Sequence, residues 1–432
     1  MRITDIVATD VRFPTSRDLD GSDAMNEAPD YSCAYVVLKT DGDHQGHGLT
    51  FTLGRGTEIC IAAIESMKPL LLGQDLEAIA SDMGAFWKHV TGDYQLRWIG
   101  PDKGAVHLAT AALVNVVWDL WARAEGKPLW QLVCDLTPRD LVRCLDFQYM
   151  SDFLTEAEAT AHLEEMAPRK PRRIAELEQQ GIPGYTTAAG WLGYEDEKVR
   201  RLAEEAVREG WTAFKLKIGR DLDEDRRRAA IMRDVIGNDR RFMVDANQVW
   251  DVDEAIEWMT HLAEYRPWFI EEPTNPDDVL GHAAIREALA PHGVGVATGE
   301  HAMNRVLFKQ IFQSEAVTVC QPDPCRLGGV NEFLLVQLMA ATKGIPVCPH
   351  GGGVGLCEHV QHLAAIDHIC MSGPSPDRFV EYVDHLHENF TDPVEIKDGH
   401  YVLPSRPGYS TEMKSESVKR YAFPDGPEWR DS

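Results

Sequence analysis

Seven short apolar segments each end on a residue that can carry charge or move a proton: Lys217 (FKLKIG), Asp245 (FMVDAN), Glu271 (WFIEEP), Glu300 (GVATGE), Asp323 (VTVCQPD), His350 (IPVCPH) and Glu381 (RFVEYV). Asp245, Glu271 and Glu300 end three successive segments. Three carboxylates gathered at one place repel one another unless a cation joins them, and oxygen-only donors favour a hard ion, Mg²⁺ or Mn²⁺, with positions left for substrate and water. Lys215 and Lys217 are two apart and so share one face of a strand. Facing inward beside a cation, two ammonium groups would depress each other's pKa and leave one neutral enough to act as a base. Asp323 and His350 suit a pair in which the acid orients the ring and raises its pKa. Lys217 and His350 would then flank a metal pocket in which a carboxylate substrate could lose the proton on its α-carbon.

These residues need a frame that brings them together. The segment ends recur every 23 to 31 residues, and a strand, a helix and two loops sum to about 25. Alternating strands and helices imply a parallel sheet with right-handed crossovers. A (β/α)8 barrel converges all the strand ends on one pocket, whereas an open doubly wound sheet would spread them along an edge, so the α/β barrel is preferred. Its first strand is expected at Leu141–Tyr149, and the charged helical stretch Thr155–Gly181 reads as a solvated excursion after it.

Ahead of the barrel, residues 3–14, Tyr35–Lys39 and His47–Leu53 read as an antiparallel meander. Helical spacing follows in Glu58–Leu72, in Leu76–Val90 with Asp75 as N-cap, and in Lys103–Ala124. The expected division is an α+β capping domain over 1–128, the barrel over 129–384, and a C-terminal segment over 385–432 that packs back on the capping domain.

With 432 residues the chain has room for both domains. A formal charge of −26 argues against a nucleic-acid or anionic-membrane surface. An anionic substrate would depend on local positive charge from a metal ion and the two lysines. The nine cysteines are odd in number and show no CxxC pair, and no apolar run of about 18 residues stands out, so a reduced, cytoplasmic protein is expected. No GxGxxG or GxxxxGK[ST] phosphate loop is present, nor a Ser or Cys nucleophile with a base at defined spacing.

KLK at 215–217, DAN at 245–247, IEEP at 270–273, GEH at 299–301, PD at 322–323 and PHGG at 349–352 resemble, in this order, the mandelate-racemase-like branch of the enolase superfamily. Within it, GSDAMNEAPDYSCAYVVLKTD at 21–41, HGLTFTLGRGTE at 47–58, QLRWIGPDKGAVHLATAALVNVVWDLWA at 95–122 and YTTAAGWLGY at 185–194 are similar to the L-fuconate dehydratase group. The resemblance implies a Mg²⁺-dependent acid-sugar dehydratase, with Mn²⁺ as the other candidate ion. Asp245, Glu271 and Glu300 would be the metal ligands, Lys217 the base taking the C2 proton with Lys215 beside it, and His350, paired with Asp323, the acid assisting loss of the C3 hydroxyl. Gly21, Ser22, Asp23 and Tyr31 of the capping loop, with Lys215, Asn247, Glu300 and Glu381, would contact substrate. The expected partners are a small acid sugar and further copies of the chain.

L-fuconate is the favoured substrate, with galactonate, arabinonate and galactarate as alternatives. Residue types alone leave a racemase or epimerase open, since the same Lys/His pair could return a proton to the opposite face. A non-catalytic binding protein would be marked by a broken ligand set, and here the set is intact.

Overall fold

The computed structural model describes residues 1–430. Strands β1 (Ile3–Arg12), β2 (Ser32–Thr40) and β3 (Gly46–Thr52) form an antiparallel sheet in sequence order. Helices α1 (Thr57–Met67), α2 (Leu76–Ser81), α3 (Met83–Thr91) and α4 (Gly104–Ala124) follow. Asp75 caps α2, accepting from the amides of Glu77 and Ala78. The single helix expected over Leu76–Val90 is two helices. Asp82 leaves helical geometry at φ −150°, ψ 75°, and its side chain caps α3 through Ala85 N–H.

By length and composition α4 could cross a membrane, which the sequence reading did not anticipate, yet it is packed inside the protein against the sheet. That packing needs glycine on β3. A Cβ on Gly48 would stand 2.7 Å from the backbone nitrogen of Val116 on α4.

Four helices come before the barrel: α5 (Leu129–Asp135), α6 (Pro138–Arg143), α7 (Glu156–Met166) and α8 (Lys170–Gln180). The first barrel strand is not Leu141–Tyr149. Thr137 caps Asp140 N–H and Pro138 occupies the first turn, so this region begins as a helix, α6. The first strand is β4 (Ile182–Thr186), and α7 and α8 precede it rather than follow it. Then come α9 (Asp196–Arg208), β5 (Ala213–Lys217), α10 (Leu222–Ile236), β6 (Arg241–Asp245), α11 (Val252–Leu262), β7 (Phe269–Glu271), α12 (Val279–Leu289), β8 (Gly295–Thr298), α13 (Arg305–Gln313), β9 (Val319–Cys320), α14 (Val330–Lys343), α15 (Leu356–Ile366) and β10 (Val380–Tyr382).

Neighbours from β4 to β9 pair in parallel. Val347 bridges Cys320 in the seventh position, and β10 pairs with β4 to close the ring. One apolar layer fills the barrel's interior, with a residue from each position between Tyr185 and Phe379.

The C-terminal region adds β11 (Ile396–Lys397), β12 (His400–Tyr401) and α16 (Ser415–Tyr421). It touches both parts of the protein. β12 pairs antiparallel with β4, while Ala422 bridges Val11 and the Thr411 hydroxyl donates to the carbonyl of His47. We propose that the domain limits run at 128 and 384, with the described part of the C-terminal segment, 385–430, joining the two; residues 431–432 of the expected 385–432 segment lie outside the described residues.

Candidate active site

Strand register places the chemistry. Lys217 is opposite Asp245, Asp245 opposite Glu271, and Glu271 opposite Ala297, so three functional side chains stand level on adjacent strands. Lys215 and Lys217 lie on the inner face with Ala213, as their spacing predicts, and both are buried. Glu300 arrives by a turn at Gly299 with φ +146°, where a Cβ would come within 2.8 Å of the Gln321 backbone. Asn247 also sits in the left-handed region, at φ +45°, held by its N–H donating 3.0 Å to Asp245 Oδ1.

Carboxylate oxygens of Asp245, Glu271 and Glu300 lie within 4.8 Å of one another. Burial raises the pKa of Glu271 well above the usual range, and Asp245 raises it further. Glu300 is likewise raised by burial. Such a cradle needs positive charge, and in this structure the lysines provide it. Lys217 Nζ is 2.6 Å from Asp245 Oδ2 and 3.0 Å from Asn247 Oδ1. Lys215 Nζ is 2.9 and 3.0 Å from the two oxygens of Glu271, 2.6 Å from Glu381 Oε1 and 3.2 Å from Asp245 Oδ2. Burial opposes the charged form of both lysines, but the carboxylates outweigh it and hold both pKa values up, Lys215 through Glu271 and Glu381, Lys217 through Asp245. The mutual lowering expected from the lysine pair is thus overridden. A three-oxygen, all-carboxylate set already compensated by ammonium groups fits a hard divalent cation.

On the other side of the pocket Asp323 Oδ2 lies 2.7 Å from His350 Nδ1, which leaves Nε2 toward Glu300 at 3.5 Å and Glu381 at 3.9 Å. Backbone amides of Cys325 and Arg326 fix Asp323 through Oδ1 at 2.6 and 2.7 Å. Burial disfavours the imidazolium, but Glu300, the hydrogen bond to Asp323 and Glu381 together push the His350 pKa up to about 10. The ring carries a proton it can give. Glu381 is held by Gly351 N–H at 2.9 Å and by Lys215.

A cavity of about 200 Å³ opens over these groups, small for a ligand site and suited to a small molecule. Gly21, Asp23 and Tyr31 line it, together with Lys217, Asn247, Glu300, Asp323, His350 and Glu381. Two expected contacts do not reach it. The Ser22 hydroxyl turns into its own loop to donate 2.8 Å to the Glu27 carbonyl, and Lys215 lies behind the carboxylates, tied to three of them. Sequence reasoning missed Trp191 and Arg326, which also line the cavity, and Gln321, which donates 2.8 Å to Glu271. Trp191 lies in the quoted YTTAAGWLGY motif. Arg326 and Gln321 flank Asp323 by two or three residues, but no strand-end spacing marks them.

Residues 22–134 match the profile of the mandelate racemase / muconate lactonizing enzyme N-terminal domain, and residues 198–418 match the enolase C-terminal domain-like profile. Mitochondrial enolase superfamily member 1 of Bos taurus is 55% identical over 431 residues, covering 99% of this chain and 97% of that protein. L-galactonate dehydratase of Hypocrea jecorina is 53% identical over 425 residues, covering 98% and 94%. The crystal structure of human mitochondrial enolase superfamily member 1 superposes with a TM-score of 0.98 at 53% identity, covering 100% of this chain and 98% of that one. With a capping domain, a closed barrel and matches over nearly its whole length, the chain belongs to the mandelate racemase / muconate lactonizing enzyme family of the enolase superfamily.

Proposed function

We propose that the protein is a Mg²⁺-dependent acid-sugar dehydratase, a hydro-lyase. The observation that carries this reading is the pocket itself, in which three carboxylates on neighbouring strands share one cavity with Lys217 on one side and the His350–Asp323 pair on another. Asp245, Glu271 and Glu300 would hold the ion. A cation bound there supplies Lewis-acid stabilisation of the negative charge that builds on the substrate carboxylate. Lys217 Nζ takes the C2 proton. It is a base only when neutral, so competition for its partner Asp245 decides its charge. His350 Nε2 gives its proton to the C3 hydroxyl as the C3–O bond breaks and water leaves. Asp323 keeps the ring's other nitrogen occupied and its orientation fixed. The enol product then tautomerises to the 2-keto-3-deoxy acid.

Two substrates are proposed. L-fuconate follows from the capping-loop resemblance, and L-galactonate from the name of the 53% identical relative in Hypocrea jecorina. These acids share their configuration from C2 to C5 and differ only at C6, a methyl in one and a hydroxymethyl in the other. A racemase or epimerase reading also has an observation behind it, because Lys217 and His350 approach one cavity from different strands. All nine cysteines are free and buried, which supports the proposed reducing, cytoplasmic setting, and we propose a homo-oligomer.

The test is a dehydration assay on metal-stripped and Mg²⁺-restored enzyme over aldonic and aldaric acids, with Lys217→Ala and His350→Asn in parallel. A keto product that needs Mg²⁺ and vanishes in Lys217→Ala supports the proposal. Loss of optical rotation without carbonyl formation transfers the assignment to the racemase reading. No turnover of any acid sugar under any metal refutes both.

A further inference from the structure

Among the described residues Arg326 is the one guanidinium lining the active-site cavity, and its two terminal nitrogens are uncommitted. Its backbone N–H is bound to Asp323 and its Nε donates 3.3 Å to the Glu300 carbonyl, but among the described residues Nη1 and Nη2 have neither a hydrogen bond nor an ion pair. The other cations facing the cavity are engaged. Lys217 is held by Asp245, His350 by Asp323, and His301 by Glu272 at 2.9 Å. In a chain with 69 acidic and 43 basic residues, a half-buried arginine without a carboxylate partner calls for a reason.

Its position supplies one. Arg326 follows Asp323 by three residues, its Nε reaches the Glu300 carbonyl at 3.3 Å, and it lines the cavity together with Thr52 and Leu53 of the capping domain, so it stands on the histidine side, at the seam between cap and barrel. The three-carboxylate cradle and the lysines lie at the barrel strand ends, and Arg326 borders this cradle through the Glu300 carbonyl. A substrate whose C1 carboxylate occupies the cradle end, with C2 and C3 between Lys217 and His350, directs the rest of its chain toward the cap. There the wall combines the apolar Phe51, Leu53 and Leu108 with the polar Asp23, Asn26, Tyr31 and Thr52 of the cap, and Arg326 of the barrel brings the positive charge. A guanidinium presents two parallel N–H donors that match a pair of neighbouring oxygens.

Building on the acid-sugar reading, we propose that Arg326 determines specificity by binding the hydroxyl-bearing end of the substrate, C4 to C6, through Nη1 and Nη2. Arg326 thus sets chain length and hydroxylation at the far end, while the chemistry at C2 and C3 proceeds without it.

The experiment uses the Mg²⁺-loaded enzyme and four acids of common configuration at C2 and C3: L-galactonate, L-fuconate, D-arabinonate and D-threonate, which lose the far end step by step. Wild type, Arg326→Met and Arg326→Lys are compared, with thermal melts confirming that each variant is folded. Arg326→Met is expected to lose on the order of 10- to 100-fold in kcat/KM on the six-carbon acids, mostly through KM, as removal of a charged hydrogen-bond donor implies. On D-threonate the loss should shrink to about 3-fold or less, because C5 and C6 are absent and only the C4 hydroxyl remains for Arg326 to bind, with Arg326→Lys falling between. An equal loss on all four acids means that the residue only supports the loop after Asp323, and overturns the proposal. Wild type inactive on all four removes L-galactonate and L-fuconate as substrates, and this inference with them, while the dehydratase reading stands or falls on the wider panel of acid sugars.

Discussion

Replacing Glu332 by Gln should destabilise the protein by about 3 to 5 kcal/mol at neutral pH. Glu332 on α14 is buried and its carboxylate takes four hydrogen bonds. Oε1 accepts from Arg305 N–H at 3.0 Å and Arg305 Nη1 at 3.1 Å, and Oε2 accepts from Gly328 N–H and His107 Nε2, both at 2.8 Å. His107 belongs to α4 of the cap and Arg305 to α13 of the barrel, so this carboxylate links the two. Arg305 continues the link to Asp146 at 2.7 Å. Glutamine retains one oxygen but sets a donor against the Gly328 and His107 donors. Losing two charge-assisted bonds of about 1.5 to 3 kcal/mol each gives roughly 3 to 6 kcal/mol.

A second route gives a similar figure. Burial opposes ionisation of Glu332, but His107 and Arg305 outweigh it and lower its pKa from 4.5 to about 2, a shift equivalent to about 3 kcal/mol. Because the folded-state pKa is depressed, this contribution is fully present above about pH 4.5 and is lost as pH falls toward 2. Urea unfolding followed by near-UV circular dichroism should therefore show a constant gap between wild type and Glu332→Gln from pH 8 to 5, narrowing below. Glu264→Gln, which removes an exposed ion pair to Arg226, should stay within about 0.5 kcal/mol of wild type. A gap under about 1 kcal/mol at pH 7, or one that widens in acid, refutes the reasoning.

His387 lies 2.7 Å from Glu358. Burial works against its charge, yet Glu358 prevails and raises its pKa to about 9. The stabilisation, at most about 3 kcal/mol, is complete below about pH 6.5 and lost as pH rises through 9, so the melting gap to His387→Gln should close between pH 6 and 9.5. Gly48→Ala, forced against the α4 backbone, should cost about 1 to 3 kcal/mol in thermal unfolding. Adding Mg²⁺ to chelator-treated protein should raise its melting temperature, by about 2.7 kcal/mol of stabilisation at a hundredfold excess over Kd. In Glu300→Gln that rise should be largely lost, and an unchanged rise would remove Glu300 from the ligand set.

The barrel was legible because a closed ring of parallel strands must return each functional residue at a near-fixed interval, and the interval survives in the sequence from Lys217 to Glu381. The first strand escaped because IPGYT carries a proline and a glycine that strand patterns disfavour, whereas Leu141–Tyr149 offered a more apolar run directly behind the Thr137-Pro138 start of α6. Register identified Lys215 as inward-facing but could not tell a pocket wall from a buried counter-charge, a distinction set by the three carboxylates around it. Arg326 was invisible for the opposite reason. Its importance rests on the absence of a partner, and only a three-dimensional arrangement can show that.

The ring closes by pairing residues 184–186 with 380–382, and the cap's first strand is bridged by Ala422. A chain emerging from the ribosome therefore cannot finish its barrel until about two hundred residues after starting it, and cannot complete its cap until Ala422 is made. Until then the carboxylate cradle stands open to water, so a truncated product of interrupted synthesis would carry the proposed metal ligands but lack the complete lid over them.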